Sequence, residues 1–129
     1  TISRHVDFFS IGTNDLTQYV CAVDRVNETV YHLFDSLHPA VLRLIRTVIE
    51  NGKKAGISVS MCGELAGSPQ VIPLLLGMGL TEFSMNPASI LRARKVVRSI
   101  KLSECKTLVD EVLKQETAQG IRDCLEISS

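Results

Sequence analysis

Gly56-Ile57-Ser58-Val59-Ser60-Met61-Cys62-Gly63-Glu64-Leu65-Ala66-Gly67 joins an apolar run, residues 56–61, to a segment of helical character. A short apolar run between glycines reads as a buried strand, and the change of period after it marks a strand-to-helix junction. A thiol, two glycines and a carboxylate occupy that junction. Cys62 placed there can give or take a proton on a small bound substrate, provided the pocket around it is electropositive or metal-bearing.

The same alternation recurs on both sides of this stretch. Val6-Asp7-Phe8-Phe9-Ser10-Ile11 predicts a strand ended by Gly12, and Thr13, Asn14 and Asp15 offer N-cap side chains for a helix over about 16–23. An irregular stretch follows over 24–35. Pro39 then suits the first turn of a helix with Val41, Leu44, Ile45, Val48 and Ile49 on one face and Arg43, Arg46 and Glu50 turned outward, ended by Gly52 and Gly56. His38 before Pro39 reads as structural, and His5 and His32 show no ligand spacing. After the 57–61 strand, Ser68-Pro69 opens a helix that buries Ile72, Leu75, Leu76 and Met78, bends at Pro73 and closes at Gly77 and Gly79.

Glu82-Phe83-Ser84-Met85-Asn86 predicts a third strand, and Pro87-Ala88-Ser89 a turn. A basic helix follows over 90–98, with its charges in solvent and Val96 and Val97 packed inward, and two further helices cover 103–115 and 117–125. Strand and helix in strict alternation define a parallel α/β architecture.

Composition narrows the function classes. The 129 residues suffice for one domain with its own core. A formal net charge of zero gives no overall attraction to nucleic acid or to an acidic membrane surface. No uncharged apolar run approaches the roughly eighteen residues of a membrane span, and an opening with Arg4, His5 and Asp7 is not a signal peptide. A soluble, cytoplasmic protein is expected. The four cysteines, at 21, 62, 105 and 124, lack Cys-x-x-Cys spacing, which argues for reduced thiols and against disulfides or structural zinc.

In parallel α/β folds function collects at the carboxyl ends of the strands. Three polar clusters are predicted there: Gly12-Thr13-Asn14-Asp15, Cys62-Gly63-Glu64 and Met85-Asn86-Pro87-Ala88-Ser89. The candidate residues each have two readings. Asn14 and Asp15 cap a helix, or Asp15 offers a hard oxygen to Mg²⁺ while Asn14 hydrogen-bonds a phosphate or carboxylate oxygen. Cys62 is a small apolar core side chain, or a thiol that Gly63 leaves uncovered. Arg25 in Asp24-Arg25 is a surface ion-pair member, or a bidentate clamp for an anion.

Several motifs stand in order along the chain: Ser10-Ile11-Gly12-Thr13-Asn14-Asp15-Leu16-Thr17-Gln18-Tyr19, Ala22-Val23-Asp24-Arg25, Leu37-His38-Pro39-Ala40-Val41-Leu42, Met61-Cys62-Gly63-Glu64-Leu65-Ala66-Gly67, Leu75-Leu76-Gly77-Met78-Gly79 and Glu82-Phe83-Ser84-Met85. Together they resemble the phosphoenolpyruvate-binding domain of Enzyme I of the bacterial sugar phosphotransferase system. The likeness runs from about Phe8 to the end of the chain. Pyruvate phosphate dikinases and phosphoenolpyruvate synthases share the Thr-Asn-Asp and Cys-Gly elements, but Glu64-Leu65-Ala66-Gly67 is closer to Enzyme I. Ser68 departs from the aspartate that many Enzyme I proteins carry there, a difference expected to touch helix capping rather than chemistry. The nitrogen-type paralogue stays open.

The resemblance implies a (β/α)₈ barrel that binds phosphoenolpyruvate and Mg²⁺. It implies Asp15 as a Mg²⁺ ligand, Asn14 and Arg25 as phosphate contacts, and Cys62 as the acid that protonates the enolate to pyruvate. The phosphoryl group would pass to a histidine on an N-terminal domain and on to the carrier protein HPr. It further implies that this chain is the last three βα units of the barrel, and that the other Mg²⁺ carboxylate, two more arginines, the phosphohistidine and the HPr-binding domain lie before Thr1. The chain alone is then expected to be inactive and to self-associate, and a homodimer is expected of the intact enzyme. The competing reading is an α/β module that binds an anion or dimerises without turnover.

Overall fold

The computed structural model describes residues 2–127. Strand β1 (Phe8–Gly12) leads into helix α1 (Thr13–Cys21). A long connection containing one 3₁₀ turn, Tyr31–Leu33, precedes α2 (Pro39–Ala55). Strand β2 (Ser58–Cys62), a 3₁₀ turn over Glu64–Gly67 and α3 (Ile72–Met78) form the second unit. Strand β3 (Glu82–Phe83) and α4 (Pro87–Ser99) form the third, and α5 (Leu102–Val112) and α6 (Ala118–Cys124) follow.

The strands lie side by side in chain order and all run parallel. Strand–helix units stacked in sequential order build an arc of a (β/α) barrel. Closing such a barrel takes about eight strands, and the outer edges of β1 and β3 have no strand partner among the described residues. Register fixes the geometry that matters for the site: Gly12 pairs with Cys62 and Met61 with Phe83. The carboxyl ends of the strands are therefore level.

The core lies between the sheet and α2, α3 and α5, around Ile11, Met61, Leu42, Ile45, Leu74, Leu75 and Val109. Burial of such side chains contributes about 1.5–3 kcal/mol each and dominates the stability of the unit. Helix α2 turns Val41, Leu42, Ile45 and Ile49 inward. Leu44, expected inside, is 38% exposed, because it shares a row with Val48, Asn51 and Ala55 that borders the open side of β1.

Local chemistry accounts for the other departures from expectation. Gly12, not the side chains of Thr13 to Asp15, is the N-cap of α1, so those residues form its first turn. Gly56, at φ 71°, ends α2, whereas Gly52 stays inside it and lets the helix approach Val59. Pro73 occupies the second position of α3, where its missing N–H removes no intrahelical bond. Pro87 likewise opens α4 instead of a turn, with the side-chain Oδ1 of Asn86 accepting from the Ala88 N–H at 3.0 Å. Strand β3 is shorter than expected: after Phe83, the Ser84 N–H makes one more bond to the Met61 carbonyl at 2.8 Å and the chain turns away toward that cap. On α4 it is Ala93 that is buried, Val96 is half-buried and Val97 is exposed.

No described helix is long and apolar enough to cross a membrane. All four cysteines are free.

Candidate functional site

A cleft of about 460 Å³ opens where the strands end, lined by Asn14, Cys62, Gly63, Glu64, Ser84, Met85, Asn86 and Ser89 among others. Members of all three predicted clusters thus meet in one place. Cys62 is the last residue of β2 and is exposed, so its thiol is not a core side chain. Gly63 follows at φ 102° and ψ −177°, a backbone region essentially restricted to glycine. A Cβ there would also overlap the hydroxyl oxygen of Thr13.

Asn14 and Asp15 are consecutive residues in the first turn of α1, and a helix turns about 100° per residue. Asn14 therefore lines the cleft of Cys62, while Asp15 lines a larger, mainly apolar one of about 1080 Å³ beside β1, with Gly12, Leu16 and Tyr19. Arg25 lines neither. It lies exposed in the connection after α1, and its backbone N–H donates to Gln18 Oε1 at 3.4 Å. The far end of that connection is held more firmly. Asp35 caps the Leu37 N–H at 2.9 Å and receives Arg122 Nη2 from α6 at 2.8 Å. Ser36 and Thr17 share a hydroxyl hydrogen bond of 3.1 Å.

Thr13 is another residue whose place differs from the sequence expectation. It was expected to be a cap, yet it is fully buried, and its hydroxyl donates to the Cys62 carbonyl at 3.2 Å across the gap between β1 and β2. The one signal for it in the sequence is its place directly after a strand-ending glycine, which a cap shares. His38 is structural as expected: its Nδ1 accepts from the Ala40 N–H at 3.2 Å and caps α2.

Burial holds the thiols of Cys105 and Cys21 above their ordinary range. At Cys21 a backbone hydrogen bond from Asp35 opposes the rise, and the Asp35 carboxylate adds to it. Neither lines the cleft, and Cys62 is the one exposed thiol among the described residues.

As a metal site the described residues are incomplete, since they hold no group of three or more His, Cys, Asp or Glu side chains able to surround an ion. The exposed carboxylate of Asp15 nonetheless suits Mg²⁺, which is commonly bound through one or two carboxylates plus substrate phosphate and water.

Residues 1–102 match the family described as PEP-utilising enzyme, PEP-binding domain, and the chain belongs to that family. Its curated relatives include proteins named phosphoenolpyruvate-protein phosphotransferase. Those of Mycoplasma genitalium and Haemophilus influenzae are each 49% identical over 125 residues, covering 97% of this chain. That of Mycoplasma pneumoniae is 49% identical over 126 residues, covering 98%. The chain spans 22% of the length of each of these relatives.

Proposed function

We propose that this chain is the part of a phosphoenolpyruvate-protein phosphotransferase that handles the enolate of phosphoenolpyruvate, with Cys62 as its general acid and base. The carrying observation is an exposed thiol at a strand end, in a cleft shared with Asn14, on a chain of the PEP-utilising family. In the forward direction the P–O bond of phosphoenolpyruvate breaks, and the phosphoryl group passes to a histidine nitrogen elsewhere in the intact protein. The enolate that remains takes the Cys62 thiol proton at its methylene carbon, becoming pyruvate, and solvent restores the thiol. General acid catalysis of this kind is worth about 10²–10⁴-fold.

Asn14 donates its amide to a phosphate oxygen, and Arg25, which lines neither cleft in this chain, is the second contact to the same anion in this reading. Asp15 would hold Mg²⁺ together with substrate oxygens; bound there, the ion supplies charge neutralisation to the transferring phosphoryl group. HPr as the next acceptor, a cytoplasmic location and a homodimeric intact enzyme belong to the same reading. So does placement of the phosphohistidine and HPr-binding domains outside this segment. Asp15 and Arg25 stand apart from Cys62 in this chain, and we infer that it has no turnover by itself.

The test is a chimera in which this segment replaces its match in the Haemophilus influenzae relative. Cys62→Ala in that chimera is expected to lower pyruvate formation from phosphoenolpyruvate with HPr by at least about 100-fold. An unchanged rate would remove Cys62 from the chemistry.

The reading as an assembly module rests on a separate observation: the edge of β1, unpaired among the described residues, is flanked by the large apolar cleft, and Phe8, Ile2 and Tyr19 are 61%, 73% and 81% exposed. Unpaired strand edges beside apolar surface promote pairing between chains. Light scattering of the isolated chain tests this, and a monomer at high concentration would count against it.

A further inference from the structure

The Thr13 hydroxyl is fully buried, so no bulk water competes for it, and it donates to the Cys62 carbonyl at 3.2 Å. Thr13 itself is fixed from the other side. Its carbonyl accepts from the buried Thr17 hydroxyl at 2.7 Å, and the Gly12–Cys62 pairing sets the level of the two strand ends. Beyond the carbonyl stands Gly63, in a conformation that other residues rarely adopt, and the space its missing Cβ would fill is taken by the Thr13 oxygen. The peptide unit leaving Cys62 is thus clamped between a donor on α1 and a glycine that only fits one way. The orientation of that unit governs the direction in which the Cys62 side chain leaves the strand.

We propose that Thr13 is the positioning residue for the Cys62 thiol, aiming it into the cleft through a hydrogen bond to the Cys62 carbonyl. Thr13 touches no substrate; it acts through the backbone of its neighbour strand. The inference rests on the reading of Cys62 as the proton carrier, and it makes the Thr13–Gly63 pair part of the proton-transfer geometry rather than of the fold alone.

The test uses the chimera described above and follows exchange of the pyruvate methyl hydrogens in D₂O with Mg²⁺ by NMR, a readout of the proton step alone. Thr13→Val keeps the shape and removes the donor. It is expected to slow exchange about 10–100-fold at saturating pyruvate with KM within about threefold, because misplacement by an ångström costs rate rather than affinity. Thr13→Ser, which keeps the hydroxyl, is expected to stay within about threefold of the unmodified chimera. Exchange by Thr13→Val at the unmodified rate, or equal losses in the valine and serine variants, would overturn the proposal. If the valine variant melts below the assay temperature, Thr13→Ser against Thr13→Ala gives the same contrast, since both lack the methyl and only serine donates; equal rates would then overturn it. Cys62→Ala separates the two levels. Full exchange in that variant sinks the proton-carrier reading itself, whereas lost exchange there with an unaffected Thr13→Val sinks only the role of Thr13.

Discussion

Gly77 of α3 lies against the backbone of Cys105 in α5 so closely that a Cβ on it would overlap the Cys105 carbonyl oxygen. The two helices meet more extensively than any other pair of elements, and their contact holds α5 onto the second βα unit. Cys105 is buried at the same place, at 2% exposure.

Gly77→Ala is therefore expected to destabilise the fold although alanine is the better helix former. The intrinsic gain is about 1 kcal/mol. Separating two packed helices costs about 1–3 kcal/mol or more, and the carbonyl it strikes is backbone that cannot rotate aside. Urea unfolding followed by circular dichroism should show a lower midpoint. A higher one would mean that the helices part without strain.

The same glycine shows which parts of the molecule were legible in the sequence. Element order was legible because hydrophobic period and punctuation are local: the Pro39 helix start, the Gly56 and Gly79 stops and the strand before Cys62 all stand as expected. Gly77 and Gly52 looked like helix stops because a glycine needed for close approach and one needed for a turn are the same letter; only the partner, Cys105 or Val59, tells them apart. The site divides in the same way. That Asn14 and Cys62 share one cleft was legible because each sits by a strand end, and a parallel register brings those ends together. Thr13 was misread because its partner is 49 residues away. Asp15 was grouped with Asn14, although helical rotation sends the two into different clefts.

The Asp35–Arg122 pair joins the connection that carries Arg25 to the last helix. Its side chains are 23% and 27% exposed, and Asp35 also caps Leu37, so the pair is better ordered than a surface ion pair. Arg122→Met is expected to cost about 1.5–3 kcal/mol, the range for hydrogen bonds to charged groups. A double-mutant cycle with Asp35→Asn should give a coupling above about 0.5 kcal/mol, and a coupling near zero would show that the contact contributes nothing.

Asn86 serves both fold and cleft. Its side chain caps α4 through the Ala88 N–H, and it lines the space in front of Cys62. Asn86→Ala is expected to cost about 1 kcal/mol as a lost cap, whereas Asn86→Asp, which keeps an acceptor, should hold the stability within a few tenths. In the chimera the aspartate would add a negative charge facing an anionic substrate, so KM for phosphoenolpyruvate should rise with little change in melting temperature. An unchanged KM would indicate that the anion does not approach this wall of the cleft.

The four thiols should react in an order set by exposure and burial. Cys62 is exposed, Cys21 and Cys124 are half-buried, and Cys105 is buried. Iodoacetamide at mildly alkaline pH is expected to label Cys62 first and Cys105 last, as read by peptide mass spectrometry. Part of the alkaline pH dependence of stability follows from Cys105, and Cys21, also raised by burial, acts in the same direction. Burial raises the Cys105 pKa above the ordinary value of 9.0, so the folded state holds the thiol proton more tightly than the unfolded chain does. That contribution is complete below about pH 9 and is lost as pH rises through the folded-state value, because the unfolded chain releases its proton first. Cys105→Ala should therefore flatten the fall in stability above pH 9 while lowering stability at neutral pH through the cavity it leaves. A variant whose alkaline limb is as steep as that of the unmodified chain would show that other groups carry the dependence.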